Sequence, residues 1–518
     1  MNNREIEGTW TYHNATKHSY ESVRSNPHYL DWENQPISFK IYSELQPIPL
    51  PEHLSSATRP ALEAISAIEA PAEKEVLPSI QTMAEIFYLS AGITRRRAYP
   101  GGEILFRAAA CTGALYHIDL YLVCADLPGL LAGVYHFGPH DFALRRLHEG
   151  DCRDILVRAS ARELAITQAP AIIVCASTYW RNAWKYQSRA YRHCYWDTGT
   201  ILANLLASAF ARRVPARIVL GFEDATVSHL LSLDATREGA LALVALGDVS
   251  SQPNQLSATI RPQAFETEPL SQKEIDYPAI RAMHEASSLR NVAEVEDWRR
   301  AASSSRAAEN PSSISRGRLI PLRPLGDDEI PRETLEEVIQ RRGSTREFAR
   351  ESISFSQFST MLNRATRGMP TDFLAPKETS LNEIYLIVHA VEELAPGAYV
   401  FHTHERAVEL LKEGNFRREA GHLGLGQEIP ADCSVNVFFL ANLQEILQRF
   451  GNRGYRAAQL EASIVGGKLY LAAYAQRLGA SGLTFFDDDV TEFFSPHATG
   501  KSVMFLIAIG KSAKHKKE

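Results

Sequence analysis

Apolar residues along this chain follow two periods, and the same order of periods occurs twice. In the first half, the strand-length runs "HIDLYLV" and "AIIVCAS" are followed by helical spacing over about 185–212. The second half repeats this order with "EIYLIVH", "SVNVFFLA" and a helical stretch over about 455–478. A last apolar run, "LALVALG" or "MFLIAIG", closes each half. Strands that interleave with a central apolar helix predict an α+β fold built from two similar units.

Matching residues keep a constant separation between the two halves. Tyr121 and Tyr385 are 264 residues apart, and the dipeptides Tyr191-Arg192 and Tyr455-Arg456 keep the same spacing. The closing glycines, Gly247 and Gly510, are 263 residues apart. Chance similarity would not keep this separation constant over more than 120 residues. The pattern indicates a tandem duplication.

The repeat divides the chain into four segments. We predict an N-terminal extension over 1–75, a first unit over 76–250, a linker over 251–324 and a second unit over 325–518. The linker contains the polar run "ASSSRAAENPSSIS", which is typical of loops, and a stretch that could form one or two helices. The extension is aromatic rather than low in complexity, and its role stays open.

The second half carries polar features that the first half lacks. Its motif "RRGSTREF", at 341–348, combines hydroxyls, backbone N–H groups and guanidinium groups, which together suit a phosphate monoester. The first half has "AIEAPAEKEV" in that region. The second half also has Ser481-Gly482, where glycine lets the backbone approach a flat ligand, and the first half has Arg217-Ile218 instead.

The first half carries the complementary features. It has a small-residue loop with Thr112-Gly113 and a Lys185-Tyr186 pair, where the second half has Pro376-Lys377 and Arg449-Phe450. This division is expected if a symmetric dimer with two interface sites fused and kept one of them. We therefore predict a single site that both halves build.

Composition and charge exclude several classes of protein. With 518 residues, 45% hydrophobic and 22% charged, the chain resembles a soluble globular protein, and a net charge of −6 offers no footprint for nucleic acid. We expect no membrane span and no signal peptide, because the apolar runs are too short. Six cysteines without CxxC spacing favour a reducing cytoplasm. We expect no metal site and interpret "HTHE", at 402–405, as a turn.

Three of these motifs carry a resemblance to a known family. "RRGSTREF" resembles the flavin-phosphate motif of the nitroreductase-like FMN enzymes. "ACTGALYHIDLYLV" and "WKYQSRAYRHCYWDTGTILANLL" resemble the SagB-type dehydrogenase branch, which includes the azoline oxidases of modified-peptide biosynthesis. The resemblance covers both units. It implies two fused nitroreductase-like FMN-binding units that form an intramolecular pseudo-dimer.

The resemblance also implies which residues bind FMN at the junction of the two units. The phosphate and ribityl oxygens are expected to contact Arg341, Arg342, Ser344 and Arg346. The edge of the isoalloxazine ring is expected to contact Ser481, Gly482 and Leu483, and the opposite half is expected to contribute Ala110, Cys111, Thr112 and Gly113.

In the SagB-type branch a Lys-Tyr pair is linked to azoline oxidation, which implies that Lys185 and Tyr186 are catalytic. Either one would be the base that removes a ring proton, or the partner of that base. Lysine and tyrosine ordinarily have pKa values of about 10.4 and 10. Work at neutral pH would therefore need a lower pKa, from burial for lysine or from a nearby cation such as Arg189 for either side chain.

The expected function is FMN-dependent oxidation of thiazoline or oxazoline rings in a peptide to azoles, with oxygen reoxidising the flavin and a cyclodehydratase as a partner. Two alternatives stay open. A general NAD(P)H-dependent nitro- or quinone reductase, acting on a small molecule, would share the flavin site without needing Lys185-Tyr186. A non-catalytic peptide-binding scaffold would bind no flavin. The physiological substrate and a homodimeric state also stay open.

Overall fold

The computed structural model describes residues 2–25, 27–53, 59–68, 75–99, 102–250, 263–303, 317–374 and 380–513. Several segments discussed above lie wholly or largely outside these residues. They are "AIEAPAEKEV", "ASSSRAAENPSSIS" and the Pro376-Lys377 pair.

The strands form two seven-stranded antiparallel sheets and one two-stranded ribbon. In chain order they are β1 (Pro47–Pro49), β2 (Ile93–Tyr99), β3 (Gly102–Arg107), β4 (Ile118–Cys124), β5 (Gly133–Gly138), β6 (Ala143–Glu149), β7 (Ala171–Thr178), β8 (Ala216–Val219), β9 (Glu238–Leu246), β10 (Leu319–Pro321), β11 (Glu383–Val388), β12 (Gly397–His402), β13 (Ala407–Glu413), β14 (Val435–Ala441), β15 (Gly479–Leu483) and β16 (Ser502–Gly510).

The two sheets have the same topology. The first has the order β1-β6-β5-β4-β7-β9-β8, and the second has the order β10-β13-β12-β11-β14-β16-β15, so each strand has a counterpart in the other sheet. Strands β2 and β3 pair only with each other in an exposed ribbon. The predicted α+β fold with two similar units is confirmed.

The α-helices are, in chain order, α1 (Glu7–Ala15), α2 (Tyr20–Ser25), α3 (Ala61–Ala64), α4 (Ile80–Ala91), α5 (Arg153–Ala159), α6 (Leu164–Gln168), α7 (Tyr179–Tyr186), α8 (Ala190–Ala211), α9 (Asp224–Leu230), α10 (Pro278–Ala286), α11 (Val292–Ser303), α12 (Leu335–Arg341), α13 (Phe355–Ala365), α14 (Arg417–Leu423), α15 (Glu428–Asp432), α16 (Leu443–Phe450), α17 (Arg453–Ala475) and α18 (Asp487–Phe494). The stretch predicted as one helix over 185–212 is divided into α7 and α8, because Gln187 adopts a φ of 50°.

Helices α8 and α17 are buried along most of their length and pack against each other at the centre of the molecule. Glycine allows the close approach: a Cβ at Gly199 would overlap Ser463, and a Cβ at Gly467 would lie 2.6 Å from the Cβ of Ala203. The indole N–H of Trp196 donates to Gln459 at 2.5 Å across this contact. Each helix therefore belongs to one unit and forms the junction with the other.

Two buried ion-pair clusters join the units reciprocally. In the first, Asp224 accepts from Arg453 and Arg456 of the second half, at 2.6 Å in each case. In the second cluster, Asp487 accepts from Arg189 at 3.0 Å and from Arg192 at 2.5 Å, and both arginines belong to the first half. Burial alone would raise the pKa of both aspartates, but the arginines outweigh it and lower both pKa values.

Segments outside the repeat connect the units further. Strand β1 joins the edge of the first sheet, and β10 joins the matching edge of the second. Helix α1 lies against the start of α17, where the hydroxyl of Thr9 donates to Asn452 at 2.7 Å. The boundaries of the four predicted segments stay a prediction. Strand β1, from the predicted extension, belongs to the sheet of the first unit, and β10, from the predicted linker, belongs to the sheet of the second. Within the described residues, no helix has both the length and the apolar composition needed to cross a bilayer.

Candidate functional site

A cavity of about 290 Å³ lies between the two halves. Both halves line it, as the complementary losses in the sequence predict. The first half contributes Ala110, Cys111, Thr112, Gly113, Lys185, Tyr186, His193, Trp196, Asp197 and Thr200, and the second half contributes Ser344, Arg346, Gln427, Tyr470, Gly482, Leu483, Thr484 and Phe505. Ten of the thirteen residues predicted for the site thus line one cavity.

The small-residue loop is held in place by the buried carboxylate of Asp197 on α8. Asp197 accepts from the backbone N–H of Thr112 at 2.9 Å, from its hydroxyl at 2.7 Å and from the thiol of Cys111 at 3.0 Å. Burial, and then the nearby carboxylate, raise the pKa of Cys111 well above its ordinary value, so this thiol stays protonated at neutral pH. Gly113 adopts a φ of 61°, a left-handed conformation that favours glycine.

A second layer of hydrogen bonds connects this loop to α7 and α8. The amide N–H of Asn182 donates to the hydroxyl of Thr112 at 2.8 Å, so the amide oxygen of Asn182 faces Nδ1 of His193 at 2.8 Å. An amide oxygen only accepts, so Nδ1 of His193 carries the proton. Burial lowers the pKa of His193 well below its ordinary value, and the imidazole is therefore neutral. Its Nε2 is a buried acceptor with no hydrogen-bond partner among the described residues.

The end of α7 places Lys185 and Tyr186 on the cavity. The Tyr186 hydroxyl lies 2.9 Å from where a Cβ of Gly113 would be, and the ring packs edge-on against His193 with centroids 4.4 Å apart. Burial, and then the charge of Asp197, raise the pKa of Tyr186 above its ordinary value. Tyr186 therefore keeps its proton at neutral pH.

This result corrects the expectation that the pKa of Tyr186 is lowered for work as a base. The cation proposed for that purpose, Arg189, instead pairs with Asp487 and donates to the carbonyl of Thr16. The cation that does oppose the rise in the pKa of Tyr186 is Arg346 of the second half, and its effect is the smaller one. The sequence could not show which arginine faces Tyr186, because they are far apart in the chain.

The four residues predicted for the phosphate differ in their surroundings. Ser344 and Arg346 line the cavity, and the exposed guanidinium of Arg346 makes no hydrogen bond to any described residue. Arg341 pairs with Glu333 and donates to the carbonyl of Tyr474 at 2.6 Å. Buried Arg342 donates to the carbonyls of Ala108 at 2.9 Å and Arg107 at 3.1 Å, so it ties the motif to the first half.

The strand predicted beside the ligand ring is β15. Gly482 and Leu483 line the cavity, whereas Ser481 is buried on the strand and its hydroxyl has no partner among the described residues. A Cβ at Gly482 would meet only Phe505 and Tyr470, each at 3.5 Å, which is ordinary contact. A Cβ would therefore fit here without a clash, and the backbone N–H of Gly482 donates to the hydroxyl of Tyr470.

Sequence reasoning missed several residues of the cavity. From the first half these are His193, Trp196, Asp197 and Thr200, and from the second half they are Gln427, Tyr470, Thr484 and Phe505. The comparison between copies could have identified two of them: at a spacing of 264 residues, Thr200 corresponds to Ile464 and Tyr470 to Leu206, so each is polar in one copy only. His193 was interpreted as a packing residue, although it lines the cavity.

One further arginine lies beside the arginine-rich motif. Arg95, on β2 of the first half, has its guanidinium 3.6 Å from where a Cβ of Gly343 would be. It stacks on the ring of Phe106 at 4.6 Å and is exposed. Its charge also acts on Arg342 and contributes to lowering the pKa of that residue, after burial. Positively charged guanidinium groups from both halves, those of Arg95, Arg342 and Arg346, thus lie around the loop at 343–346. This arrangement favours the binding of an anion there.

The donor set of this cavity fits FMN. The free guanidinium of Arg346 and the hydroxyl of Ser344 suit a phosphate, and the open space beside Gly482 suits a flat ring. The buried hydroxyl of Thr484, which lines the cavity, has no hydrogen-bond partner among the described residues. Such an unpaired buried group is costly unless a ligand or water satisfies it.

The symmetry-related position is filled with protein. Phe450, the counterpart of Tyr186, packs against the buried indole of Trp298 from the linker helix α11, with ring centroids 4.9 Å apart. Ile218, the counterpart of Gly482, is paired along its backbone with the segment 370–372. The carboxylate of Asp372 accepts the next backbone N–H groups, those of Leu220 and Gly221, at 2.9 and 2.7 Å.

Comparison with known proteins gives a family match over one segment and a fold match over nearly the whole chain. Residues 339–511 match the family model described as Nitroreductase family. A crystal structure of a protein from Anabaena variabilis, described as a nitroreductase, superposes with a TM-score of 0.76 and 26% identity, covering 98% of this chain and 99% of that one. The match therefore includes both units and the segments between them.

Two other relatives match part of the chain. A protein of Methanocaldococcus jannaschii described as a nitroreductase is 22% identical over 169 residues, which are 33% of this chain and 80% of the relative. The microcin B17-processing protein McbC of Escherichia coli is 26% identical over 161 residues, which are 30% of this chain. That match spans about half of McbC, 55% of its length.

Proposed function

We propose that this chain, which resembles nitroreductases over residues 339–511 and in its overall fold, is an oxidoreductase that binds FMN between its two units and oxidises thiazoline or oxazoline rings in a peptide to azoles. The observation that carries the proposal is the composition of the cavity. Lys185 and Tyr186 come to it from one half, while the arginine-rich loop and Gly482 come from the other.

In this proposal, FMN is held by residues of both halves. Ser344 and Arg346 bind the phosphate end, with Arg95 as a further cation from the ribbon. Gly482 and Leu483 of β15 would hold the ring. The loop at 110–113 closes the site from the opposite half, where Asp197 and Asn182 fix its position. When bound, FMN supplies the hydride acceptor for a two-electron oxidation.

The ring oxidation balances as the loss of one proton and one hydride from adjacent ring atoms, which leaves one more double bond in the ring. Tyr186, whose pKa is raised, acts as a hydrogen-bond donor to the substrate. The proton from the ring would then pass to the neutral amine of Lys185, whose Nζ lies 5.5 Å from the centre of the Tyr186 ring. Molecular oxygen would be the final electron acceptor of the reaction.

Three considerations support this substrate class. McbC, a relative over part of the chain, is named for the processing of microcin B17. Lys185 and Tyr186 both line the cavity. The residues of the second half that match this pair are Arg449, which donates to backbone carbonyls of α11, and buried Phe450, so the pair is kept in one copy only. A cyclodehydratase, which forms azoline rings, is the partner that would supply the substrate.

The test uses a synthetic thiazoline peptide and the full chain loaded with FMN. We expect Lys185→Ala and Tyr186→Phe to keep the flavin absorption band and to lose azole formation, as measured by the loss of two mass units per ring. Full azoline oxidation by either variant would remove the role given to that residue. If no azoline is oxidised by the unaltered protein, and NAD(P)H reduces nitroaromatics equally well in all three, the general reductase is the better account.

A further inference from the structure

A group of exposed apolar side chains lies in the N-terminal extension. Twelve large apolar side chains of the described residues are exposed, and four of them belong to one short stretch: Tyr20 (55%), Val23 (41%), Tyr29 (85%) and Trp32 (66%). We call these four residues the aromatic patch. Helix α2, which carries two of them, has no buried residue at all. Because four of the twelve fall within thirteen residues of chain, this stretch is a candidate interaction segment.

One end of this stretch is fixed next to the cavity by α7. The ring of Trp32 packs edge-on against Trp184 with centroids 5.3 Å apart, and the indole N–H of Trp184 donates to the carbonyl of Asp31 at 2.9 Å. The ring of His28 bonds the carbonyl of Trp184 at 2.8 Å. Trp184 is followed directly by Lys185 and Tyr186, which line the cavity.

The other end of the stretch is fixed to the second half of the chain. The backbone N–H of His18 donates to Asp487 at 2.9 Å, and Asp487 also holds Arg189, just after α7. The stretch that carries the aromatic patch therefore runs between a contact with Asp487 and contacts with Trp184 of α7.

We propose that the aromatic patch binds the part of the substrate peptide that lies outside the reacting ring. This inference rests on the proposed function, since it takes a peptide to be the substrate. A substrate peptide whose azoline ring enters the cavity beside Lys185 must continue past the edge of the cavity. The aromatic patch is anchored to α7, the helix that carries Lys185. Aromatic side chains offer large contact area at low entropic cost and are enriched at recognition sites.

The charge of the stretch favours a peptide over an anionic membrane surface. Glu21, Asp31 and Glu33 outnumber Arg24, which stacks on the ring of Tyr20 at 4.6 Å. Segments that bind anionic lipids are instead rich in lysine and arginine. We therefore expect the bound peptide segment to be apolar with a neutral or basic net charge.

The experiment compares a long and a short substrate. The long one is a thiazoline peptide with roughly ten flanking residues, which reach about 30 Å when extended, and the short one is a single thiazoline amide. Tyr29→Ser should raise the KM for the long substrate about five- to tenfold, as expected for a recognition residue. It should change neither kcat nor the KM of the short substrate. Tyr99→Ser, a half-exposed aromatic on the ribbon, is the matched control and should leave both substrates unaffected.

Three results would overturn the inference. An unchanged KM for the long peptide would show that the patch does not contact it. An equal rise for both substrates would place the effect in the cavity itself. A loss of self-association in Tyr29→Ser, measured by sedimentation, would show that a second copy covers the patch.

Failure of the proposed function can be recognised separately. If the unaltered protein oxidises neither substrate, anisotropy of the fluorescein-labelled long peptide still measures binding. The inference then requires that the unaltered protein bind this peptide and that Tyr29→Ser bind it at least fivefold more weakly, as for a recognition residue of roughly 1 kcal/mol. Equal binding by both would contradict it.

Discussion

Removal of the Arg346 guanidinium should weaken FMN binding without changing the fold. Arg346 lines the cavity, is exposed and makes no hydrogen bond to any described residue, so its loss leaves no buried partner unsatisfied. A hydrogen bond to a charged group contributes about 1.5–3 kcal/mol. Because Arg346 is exposed, the lower part of that range applies. About 1.5–2 kcal/mol corresponds to an increase of roughly 10- to 30-fold in the Kd for FMN.

The assay is titration of the apo-protein with FMN, followed by the quenching of flavin fluorescence. Riboflavin, which has no phosphate, is the ligand control, and its Kd should be the same for Arg346→Ala and the unaltered protein. The effect on FMN should also shrink at high salt, because exposed charges are screened over about 3 Å at 1 M.

Arg341→Ala is the matched variant for this experiment. Arg341 belongs to the same motif, but its guanidinium is paired with Glu333 and with the carbonyl of Tyr474. We expect a smaller change in FMN affinity than for Arg346→Ala. Arg342→Ala should also lower FMN affinity, but it breaks bonds to Ala108 and Arg107 and is expected to weaken the junction as well. Wild-type FMN affinity in Arg346→Ala, or an equal loss for riboflavin, would refute the phosphate assignment.

Two further predictions concern the cavity wall and the junction. Gly482→Ala should keep the melting temperature of the apo-protein, because the new Cβ makes only ordinary contacts, but it should lower FMN affinity by filling space beside the ring. Gly467→Ala should instead lower the melting temperature, because its Cβ would lie 2.6 Å from the Cβ of Ala203. Asp487→Asn should cost about 3–5 kcal/mol at pH 7, since it leaves Arg189 and Arg192 buried without their carboxylate. The pKa of Asp487 is depressed in the folded state, so its contribution is present above about pH 3.9, the ordinary carboxyl value, and is lost as the pH falls further. Urea unfolding at pH 7 and below pH 3.9 should therefore show a gap between variant and wild type that narrows on acidification, and a gap independent of pH would contradict this role.

Much of the fold could be predicted because the sequence is repeated. The constant spacing between Tyr121 and Tyr385 implies two units with one topology, and the two sheets have the same strand order. The complementary losses also predicted a shared cavity, since Thr112 and Lys185 meet Arg346 and Gly482 there. Differences between the copies are informative because residues present in both copies maintain the shared fold, whereas polar residues present in only one copy are expected to serve the single site.

What the sequence could not predict depends on contacts between distant segments. The motif "RRGSTREF" contains three arginines, but only the structure shows that Glu333 and the carbonyl of Ala108 engage two of them. The direction of the Tyr186 pKa depends on burial and on Asp197, neither of which the pattern around Lys185-Tyr186 contains. Likewise, Trp298 belongs to the segment predicted as a linker, but its buried indole packs against Phe450 at the symmetry-related position.

The most direct test of the central claim is the number of FMN molecules per chain. The full-length protein is reconstituted with excess FMN, freed of unbound ligand and denatured by heat, and the absorbance of the released flavin is compared with the protein mass. One FMN per chain is predicted, because both halves build the cavity that contains Arg346 and Gly482, while Phe450 and Trp298 fill the related position. A ratio near two would contradict the single composite site, and a ratio near zero would contradict flavin binding altogether.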